Sequence, residues 1–297
     1  MKKTFIAFLS AMALTISVQA QKKSGAIQYQ TSIDPVAMAE ASGFPISEEM
    51  KARMPKSIKA NYELLYNATN ASFMPVTETE DSNSGGGGQP NMGRMMMRFG
   101  GFGGGNKEYY YTFADQKVVE VFDLMDTTYV MPTKLTVNVV NPMMGRQNGG
   151  GNQSQTTSAV QFLNVPPTVE VIKSDETKKI VNLNCNKVTI KTTRKATVLG
   201  MEKDITDETV LWYTNDLGFS FSPDPNLWTE GTVLAIEKKG GGMLATSIEY
   251  RGVSSKDVSA PKKAISITPE QYQAKQAAMM ARFRNNGNRQ GGSMRIN

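Results

Sequence analysis

The sequence predicts a mainly β protein, in which an antiparallel meander forms a curved sheet or partial barrel with a short N-terminal helix and a C-terminal helix. Three observations predict this class. Short segments that alternate apolar and polar residues recur along the chain, turn-forming residues separate them, and the later strands have no helices between them. Without helical crossovers, strands that follow one another in sequence are expected to pair as neighbours.

The strand segments begin with GAIQYQTSI at Gly25 and IKANYELLY at Ile58. In the second strand, alternation places five apolar residues on one face: Ile58, Ala60, Tyr62, Leu64 and Tyr66. The later strands are KEYYYTF, QKVVEVF, TTYVM, VEVI, KIVNLNCNKVTIKTT, ATVLG, ETVLWYT, TVLAIEKK and MLATSIEY. In the last of these, four alternating residues are expected to share a face: Leu244, Thr246, Ile248 and Tyr250.

Capping residues predict one helix after the first strand and one near the C-terminus. Ser47 precedes two glutamates in ISEEMKARM and is expected to cap a short helix. Thr268, Pro269 and Gln271 supply an N-cap, a proline at the first helical position and a capping-box glutamine for the second helix. The residues after Arg284 are rich in Asn and Gly and are expected to be disordered.

Residues 1–20 have the features of a cleavable signal peptide. Two lysines precede an apolar stretch over residues 5–18, and Val18 and Ala20 occupy the small-residue positions before the cut. The stretch of about 14 residues is shorter than a membrane span. We therefore expect an exported protein that begins at Gln21 and works in the periplasm or at the outer membrane of a Gram-negative bacterium. No cysteine follows the cut directly, so a lipoprotein is not expected.

The composition narrows the chemistry that the chain can perform. It contains no histidine and a single cysteine, Cys185. Catalytic triads that need histidine and zinc sites that use it are therefore excluded. We expect Cys185 to be buried and inert, no cofactor to be bound and no enzymatic activity. An enzyme that uses only carboxylates stays open, because paired acids cannot be recognised before the fold is known.

The positive charge is concentrated at the C-terminus. Residues 279–297 contain four arginines and no acid, so this segment alone carries +4. The expected mature chain has 31 basic and 27 acidic residues, so the rest of it is formally neutral. Because the charge belongs to a tail rather than to a binding face, nucleic acid is not an expected partner.

Two low-complexity segments, 79–106 and 141–158, are too rich in glycine to form strands and are expected to be long loops. They contain six candidate contact residues: Met95, Met96, Met97, Arg98, Met143 and Met144. Methionine suits pliable contact surfaces, and its thioether also suits Cu(I). These two segments therefore have three interpretations: a contact surface for protein or outer-membrane lipid, a copper site, or loops without a specific role.

Five stretches of the chain resemble the GLPGLI family of secreted bacterial envelope proteins. They are GAIQYQ at Gly25, ANYELLYNATNASF at Ala60, DETKKIVNLNCNKVTI at Asp175, VLWYTNDLGFSFSPDPNLW at Val210 and PKKAISITPEQYQAK at Pro261. The resemblance covers most of the expected mature chain in the order typical of the family. Six positions match family motifs of unknown role: Cys185, Trp212, Tyr213, Thr214, Pro223 and Gly231.

The chain departs from the family at the hexapeptide that names it. In its place the sequence reads LWTEGTVLAIE, where Gly231 and an apolar run remain. The altered hexapeptide is either a changed recognition element or a turn before a buried strand, and the retained glycine favours the turn. The resemblance implies an envelope location and occasional association with outer-membrane nutrient receptors, and it implies no catalytic residues.

Together these patterns predict three regions: a signal peptide at 1–20, a β-rich domain at 21–257, and a linker, helix and disordered tail at 258–297. The expected function is non-catalytic binding or scaffolding at the periplasm or outer membrane, with outer-membrane proteins or lipids as candidate partners. The alternative is a periplasmic carrier that holds an acyl ligand in the curved sheet, by analogy of fold.

Overall fold

A computed structural model describes residues 24–41, 46–76, 107–124, 126–138, 160–163 and 165–290. Within these ranges the protein is mainly β, as predicted, with thirteen strands and three helices. The signal peptide, both low-complexity segments and residues 291–297 lie outside the described residues.

The strands and helices have the following bounds. The first seven strands are β1 (Gly25–Ile33), β2 (Ile58–Tyr66), β3 (Asn70–Pro75), β4 (Glu108–Thr112), β5 (Lys117–Leu124), β6 (Thr127–Lys134) and β7 (Val160–Phe162). The others are β8 (Thr168–Ile180), β9 (Leu183–Val198), β10 (Met201–Thr214), β11 (Thr232–Lys238), β12 (Gly241–Tyr250) and β13 (Ile265–Ser266). The helices are α1 (Pro35–Ala41), α2 (Glu48–Arg53) and α3 (Pro269–Gln290).

All described strands belong to one open sheet. Its path is β13-β6-β5-β4-β3-β2-β1-β12-β11-β10-β9-β7, and β8 pairs with β9 beside this path. Most neighbours are antiparallel and consecutive in sequence, as a meander requires, whereas β13 runs parallel to β6. β1 pairs with β2 on one side and with β12 on the other, so it joins the two halves of the meander.

The core lies on the concave side of this sheet. One buried cluster contains Tyr111 of β4, Tyr29 of β1 and Ile190 of β9, which are far apart along the path. They reach a common core because the sheet curves around it, which confirms the predicted curved sheet. The five residues predicted to share a face of β2 are buried in this cluster or packed against it: Ile58, Ala60, Tyr62, Leu64 and Tyr66.

The alternation predicted for β12 breaks at a bulge. The register between β12 and β1 skips Thr246, which has no partner residue in β1. Leu244 is therefore 46% exposed, while Ile248 packs against the core. The prediction that Leu244, Thr246, Ile248 and Tyr250 share one face is wrong, because one extra residue moves the pattern to the other face of the sheet.

Two tight turns divide the strand region 168–214. Val181 and Asn182 join β8 to β9 with φ of 44° and 66°, and Leu199 and Gly200 join β9 to β10 with φ of 52° and 81°. Positive φ at both central residues is the conformation of a type I′ hairpin. The sequence analysis predicted KIVNLNCNKVTIKTT as one continuous strand and ATVLG as a separate strand, and both predictions are wrong. The turns were missed because Val and Leu rarely adopt positive φ and are not recognised as turn residues.

The helices differ from the prediction at both ends of the chain. Ser47 caps α2 as expected, and its hydroxyl accepts a hydrogen bond from an amide of the first turn at 3.2 Å. α1 is additional and begins after Asp34, whose carboxylate accepts hydrogen bonds from two amides at 3.0 Å. α3 continues to Gln290, six residues beyond Arg284. None of the described helices has the length and hydropathy of a membrane span.

The chain after β12 packs against the body before α3 begins. Val258 and Ile267 are buried, and the Ser72 hydroxyl donates a hydrogen bond to the carbonyl of Asp257 at 2.8 Å. β13 then extends the sheet beside β6. The chain on both sides of residue 257 thus contacts the rest of the protein.

Candidate functional site

An irregular segment, residues 215–231, fills the concave side of the sheet, and we call it the inner segment. Phe221 in this segment is completely buried. Its ring centroid lies 5.0, 5.5 and 5.9 Å from those of three sheet residues: Tyr111, Phe73 and Tyr29. Such edge and tilted ring contacts are the preferred aromatic geometries. The inner segment therefore forms the centre of the core.

Buried phenols hold the inner segment and the strand that follows it. The Tyr111 hydroxyl donates a hydrogen bond to the carbonyl of Ser222 at 2.8 Å, and the Tyr29 hydroxyl donates to that of Val233 at 3.0 Å. Burial raises the pKa of both phenols well above their usual range. Both groups are therefore neutral hydrogen-bond donors under physiological conditions.

Five of the six positions that match family motifs lie in the inner segment or next to it. Trp212, Tyr213 and Thr214 end β10 immediately before the segment, Pro223 lies within it, and Gly231 is its last residue. The first four are buried, and Gly231 is partly buried. The positions predicted from the resemblance are thus brought together, and they surround the packed segment rather than an open cleft.

Gly231 occupies a position that only glycine fits. Its φ is 61°, and a Cβ atom there would lie 2.7 Å from the carbonyl oxygen of Thr214. Its own carbonyl accepts hydrogen bonds from the Trp228 indole at 2.9 Å and from the Phe221 amide at 3.1 Å. These contacts support the interpretation that this glycine shapes a turn before the buried strand β11.

Charged side chains lie against the end of β10. The Nζ of Lys178 lies 4.2 Å from the ring centroid of Trp212, and the Tyr213 hydroxyl donates to Glu230, which also pairs with Lys173 at 3.0 Å. Burial and the contact with Glu230 raise the pKa of Tyr213 to about 12. The hydrogen bonds from Tyr213 and Lys173 lower the pKa of Glu230.

Cys185, the sixth motif position, is completely buried, as predicted. Burial raises the pKa of its thiol to about 11. The thiolate is the reactive form of cysteine, and a raised pKa keeps its population small near neutral pH. Its position in the core and its pKa both indicate a packing role.

A second candidate site lies on the concave side between β4, β5, the inner segment and β11. We call it the polar cluster: Lys107, Tyr109, Glu120, Asp224 and Lys238. Glu120 is 7% exposed, and its Oε1 lies 2.6 Å from the Nζ of Lys107. Tyr109 and Glu120 are direct partners across β4 and β5. No sequence pattern predicts this cluster, because residues 107–120 and residues 224–238 are far apart in the chain.

Burial is the largest cause of the pKa shifts of three members of the polar cluster: Tyr109, Asp224 and Lys238. Desolvation raises the pKa of Asp224, against the opposing effects of the Asn226 hydrogen bonds and of Lys238. Desolvation lowers the pKa of Lys238, against the effect of Asp224. Burial, and then the charges of Glu120 and Asp224, raise the pKa of Tyr109. Two carboxylates beside a phenol could perform acid–base chemistry, whereas the neighbouring lysines are also typical of a structural ion network.

No group of three or more Cys, Asp or Glu side chains in the described ranges could hold a metal ion. The six candidate contact residues lie outside the described residues: Met95, Met96, Met97, Arg98, Met143 and Met144. Both the contact-surface and the copper interpretations of these residues therefore stay predictions.

A third candidate site is a part of the sheet that begins at the core, where Ile190 is buried, and extends away from it. We call it the arm, and it comprises β7 and residues 165–172 and 189–210. Between residues 193 and 208 of the arm, Ala196 is the only buried residue. Of the ten exposed large apolar residues in the described chain, five belong to the arm: Val165, Val171, Ile172, Leu199 and Met201.

The tip of the arm is its most exposed apolar part. Leu199 is 77% exposed in the turn between β9 and β10, and Met201 beside it is 56% exposed. In contrast, the edge of β10 is charged: residues 201–208 read MEKDITDE and have no partner strand on their outer side in the described chain. Because charged edges oppose strand addition, contact through the apolar tip is favoured over pairing along the edge.

Comparison with known proteins shows no family. No family model matches the chain, and no curated protein matches it. Two solved structures of PNGF-II, in C2 and P21 space groups, are similar to it with TM-scores of 0.44 and 0.43 and sequence identities of 13% and 12%. They match 84% and 85% of this chain, which spans only 32% and 33% of their length. A likeness this weak leaves function to be argued from the sites themselves.

Proposed function

We propose that the chain is an exported, non-catalytic binding or scaffolding protein of the cell envelope that contacts a partner protein through the tip of the arm. The observation that carries the proposal is the contrast between a filled core and an arm whose tip exposes Leu199 and Met201. The concave side is packed with the protein's own aromatic rings, while half of the exposed large apolar residues in the described chain lie on the arm.

The packing of the inner segment supports binding at the surface rather than inside the sheet. A carrier in the curved sheet would hold its acyl chain where Phe221 now contacts Tyr111, Phe73 and Tyr29. To admit such a ligand, the protein would have to break the hydrogen bond between Tyr111 and Ser222 and expose a fully buried ring. Loss of the contacts of a large core side chain is among the changes that lower the free energy of unfolding most.

The composition of the arm supports a protein partner. Leu199 and Met201 are exposed beside each other at the tip, and neighbouring exposed apolar groups on a soluble protein often mark a contact surface, whereas scattered single residues do not. Leu199 also adopts a positive φ of 52°, a conformation that is unfavourable for a branched apolar residue. An apolar residue held in strain at an exposed tip contributes little to folding, which favours a role in contact.

The polar cluster supports a structural role better than a catalytic one. Glu120 already pairs with Lys107 at 2.6 Å, and the carboxylate of Asp224 already accepts a hydrogen bond from the Asn226 amide at 3.0 Å. Buried charges of this kind are usually paired with each other to limit the cost of desolvation.

Site-specific photocrosslinking in envelopes tests the arm. A photoreactive amino acid at Leu199 is expected to give a defined crosslinked product with one envelope protein, identified by mass spectrometry. The matched control carries the same group at Leu244, which is 46% exposed on the convex side of the sheet. Equal products from both positions, or none from Leu199, would contradict binding through the tip.

Two simple measurements test the remaining parts of the proposal. The intact mass of the exported protein should correspond to a chain that begins at Gln21, and a mass that includes residues 1–20 would argue against export by a cleaved signal. Native mass spectrometry of the same material should show no bound acyl lipid, and a stoichiometric lipid would favour the carrier alternative.

A further inference from the structure

Charge is segregated along this chain. Residues 24–250 contain 20 basic and 25 acidic side chains, a net charge of −5, whereas residues 251–297 contain nine basic and two acidic side chains, a net charge of +7. The positive segment includes the chain that packs along the body, β13 and α3. The basic character therefore extends beyond a C-terminal tail to one edge of the folded sheet.

The structure brings part of this segment together at β13, and we call this surface the basic edge: Lys262, Lys263, Ile265 and Lys275. Ile265 pairs with Tyr129 of β6 and is 55% exposed. The Nζ of Lys275 in α3 lies 5.3 Å from the ring centroid of the same Tyr129. Lys262 and Lys263 lie just before β13 in the chain and are exposed. Three lysines thus lie near an exposed isoleucine, two beside it in sequence and one through the shared neighbour Tyr129.

The lysines of the basic edge are not neutralised within the described chain. Six lysines of the body form ion pairs with carboxylates: Lys51, Lys107, Lys173, Lys178, Lys187 and Lys195. No ion pair joins Lys262, Lys263 or Lys275 to a carboxylate in the described ranges. The nearby acid Asp123 accepts a hydrogen bond from the Thr128 hydroxyl at 2.6 Å.

We propose that the basic edge docks on an anionic lipid surface. Several lysines on one edge are attracted to a layer of negative head groups, and the attraction of each adds to the others. An exposed apolar side chain among them can enter the boundary between head groups and acyl chains. α3 continues the same charge, since its sequence includes Arg282, Arg284 and Arg289. This inference goes beyond the proposed contact with a partner protein and does not depend on it.

Vesicle flotation tests this proposal. The chain from Gln21 onward is expected to float with vesicles of 30% phosphatidylglycerol in phosphatidylcholine and not with pure phosphatidylcholine. Replacing three lysines together, K262Q/K263Q/K275Q, should lower the partition coefficient by about tenfold or more. The matched control K56Q/K59Q/K239Q removes the same charge from exposed lysines outside the basic edge and should retain most of the binding. Added salt should release the wild-type protein.

Three results would overturn the proposal. The wild-type protein could fail to distinguish the two vesicles, the edge variant could bind as well as the wild type, or the control variant could lose binding equally. Circular dichroism should show that both variants keep the wild-type fold, as expected for exposed side chains. Retention on a poly-glutamate resin without binding to anionic vesicles would assign the edge to an acidic protein partner and would likewise overturn the lipid proposal.

Discussion

The substitution Phe221→Ala distinguishes a core segment from a removable plug. Phe221 is the central ring of the inner segment and is completely buried. If the inner segment is part of the cooperative core, removal of this ring must destabilise the whole protein. If the segment leaves the concave side easily, as an acyl carrier would require, the same change should affect global unfolding little.

The expected size of the effect follows from the contacts of Phe221. Removing a buried phenylalanine side chain costs about 3–5 kcal/mol through lost transfer free energy and the cavity that remains. Three ring neighbours lie 5.0 to 5.9 Å away, and each such pair contributes roughly 0.5–1.5 kcal/mol beyond burial. Because the surrounding rings belong to different strands, they are held apart and the cavity cannot close fully. We expect a loss near the upper end, about 4 kcal/mol.

Urea unfolding followed by circular dichroism and tryptophan fluorescence measures this loss. The control is Leu244→Ala, which removes an apolar side chain that is 46% exposed and should change the free energy of unfolding by less than about 0.5 kcal/mol. A loss below about 1 kcal/mol for Phe221→Ala, with an unchanged slope against urea, would refute the view that the inner segment is core. It would also restore the carrier alternative.

Three further substitutions or measurements test other parts of the site. Gly231→Ala should lower the free energy of unfolding in urea by about 2–3 kcal/mol, because the added Cβ would lie 2.7 Å from a backbone oxygen. The control Gly200→Ala has φ 81° and no atom within 4 Å of the added Cβ, so it should lower the free energy of unfolding clearly less. Equal losses for the two variants would contradict the steric argument. Cys185 should react slowly with a thiol reagent in the native protein and quickly in urea, and equal rates would refute burial. Asp224 has a raised folded pKa, so its own contribution to the free energy of unfolding should fall as pH rises above its ordinary value of 3.8. Asp224→Asn removes that charge, so the stability of this variant relative to wild type should increase from pH 4 to pH 7, and a constant difference would contradict the assigned pKa.

The strands were predictable where one face alone is buried. In β2 the alternation of Tyr62, Leu64 and Tyr66 matches the concave side residue by residue, since a half-buried strand has a period of two. The prediction failed where backbone geometry broke this period. Thr246 is an inserted bulge residue, and Val181 occupies a turn position that normally carries Asn or Gly.

The candidate sites were harder to predict than the strands. The inner segment reads as a loop because it contains Pro223, Pro225 and several polar residues, yet its Phe221 is the centre of the core. Alternation cannot predict this packing, because the segment is irregular and its contacts come from several strands. The polar cluster likewise depends on pairs that are distant in sequence, such as Lys107 with Asp224.

The stretch that the sequence analysis interpreted as an altered hexapeptide, residues 227–237, contains a turn with defined contacts. Trp228 and Glu230 both make contacts at this turn. The Trp228 indole donates to the carbonyl of Gly231 at 2.9 Å, and Glu230 binds both Tyr213 and Lys173. These side chains stabilise the turn around the retained glycine, which supports a structural role for this stretch of the chain.

The arm and the basic edge lie at opposite ends of the strand order. β13 begins the path of the sheet, and β9 and β7 end it. The two surfaces also have no residue in common, so a protein that binds lipid through the basic edge and a partner through the tip of the arm should perform both at once. We expect the crosslinking yield at Leu199 to be the same for the wild type and for K262Q/K263Q/K275Q when the purified partner is added in solution. Saturating anionic vesicles should also leave this yield unchanged for the wild type. A loss of crosslinking with vesicles present would show that the two surfaces compete, and it would contradict a scaffold that joins a membrane to a partner protein.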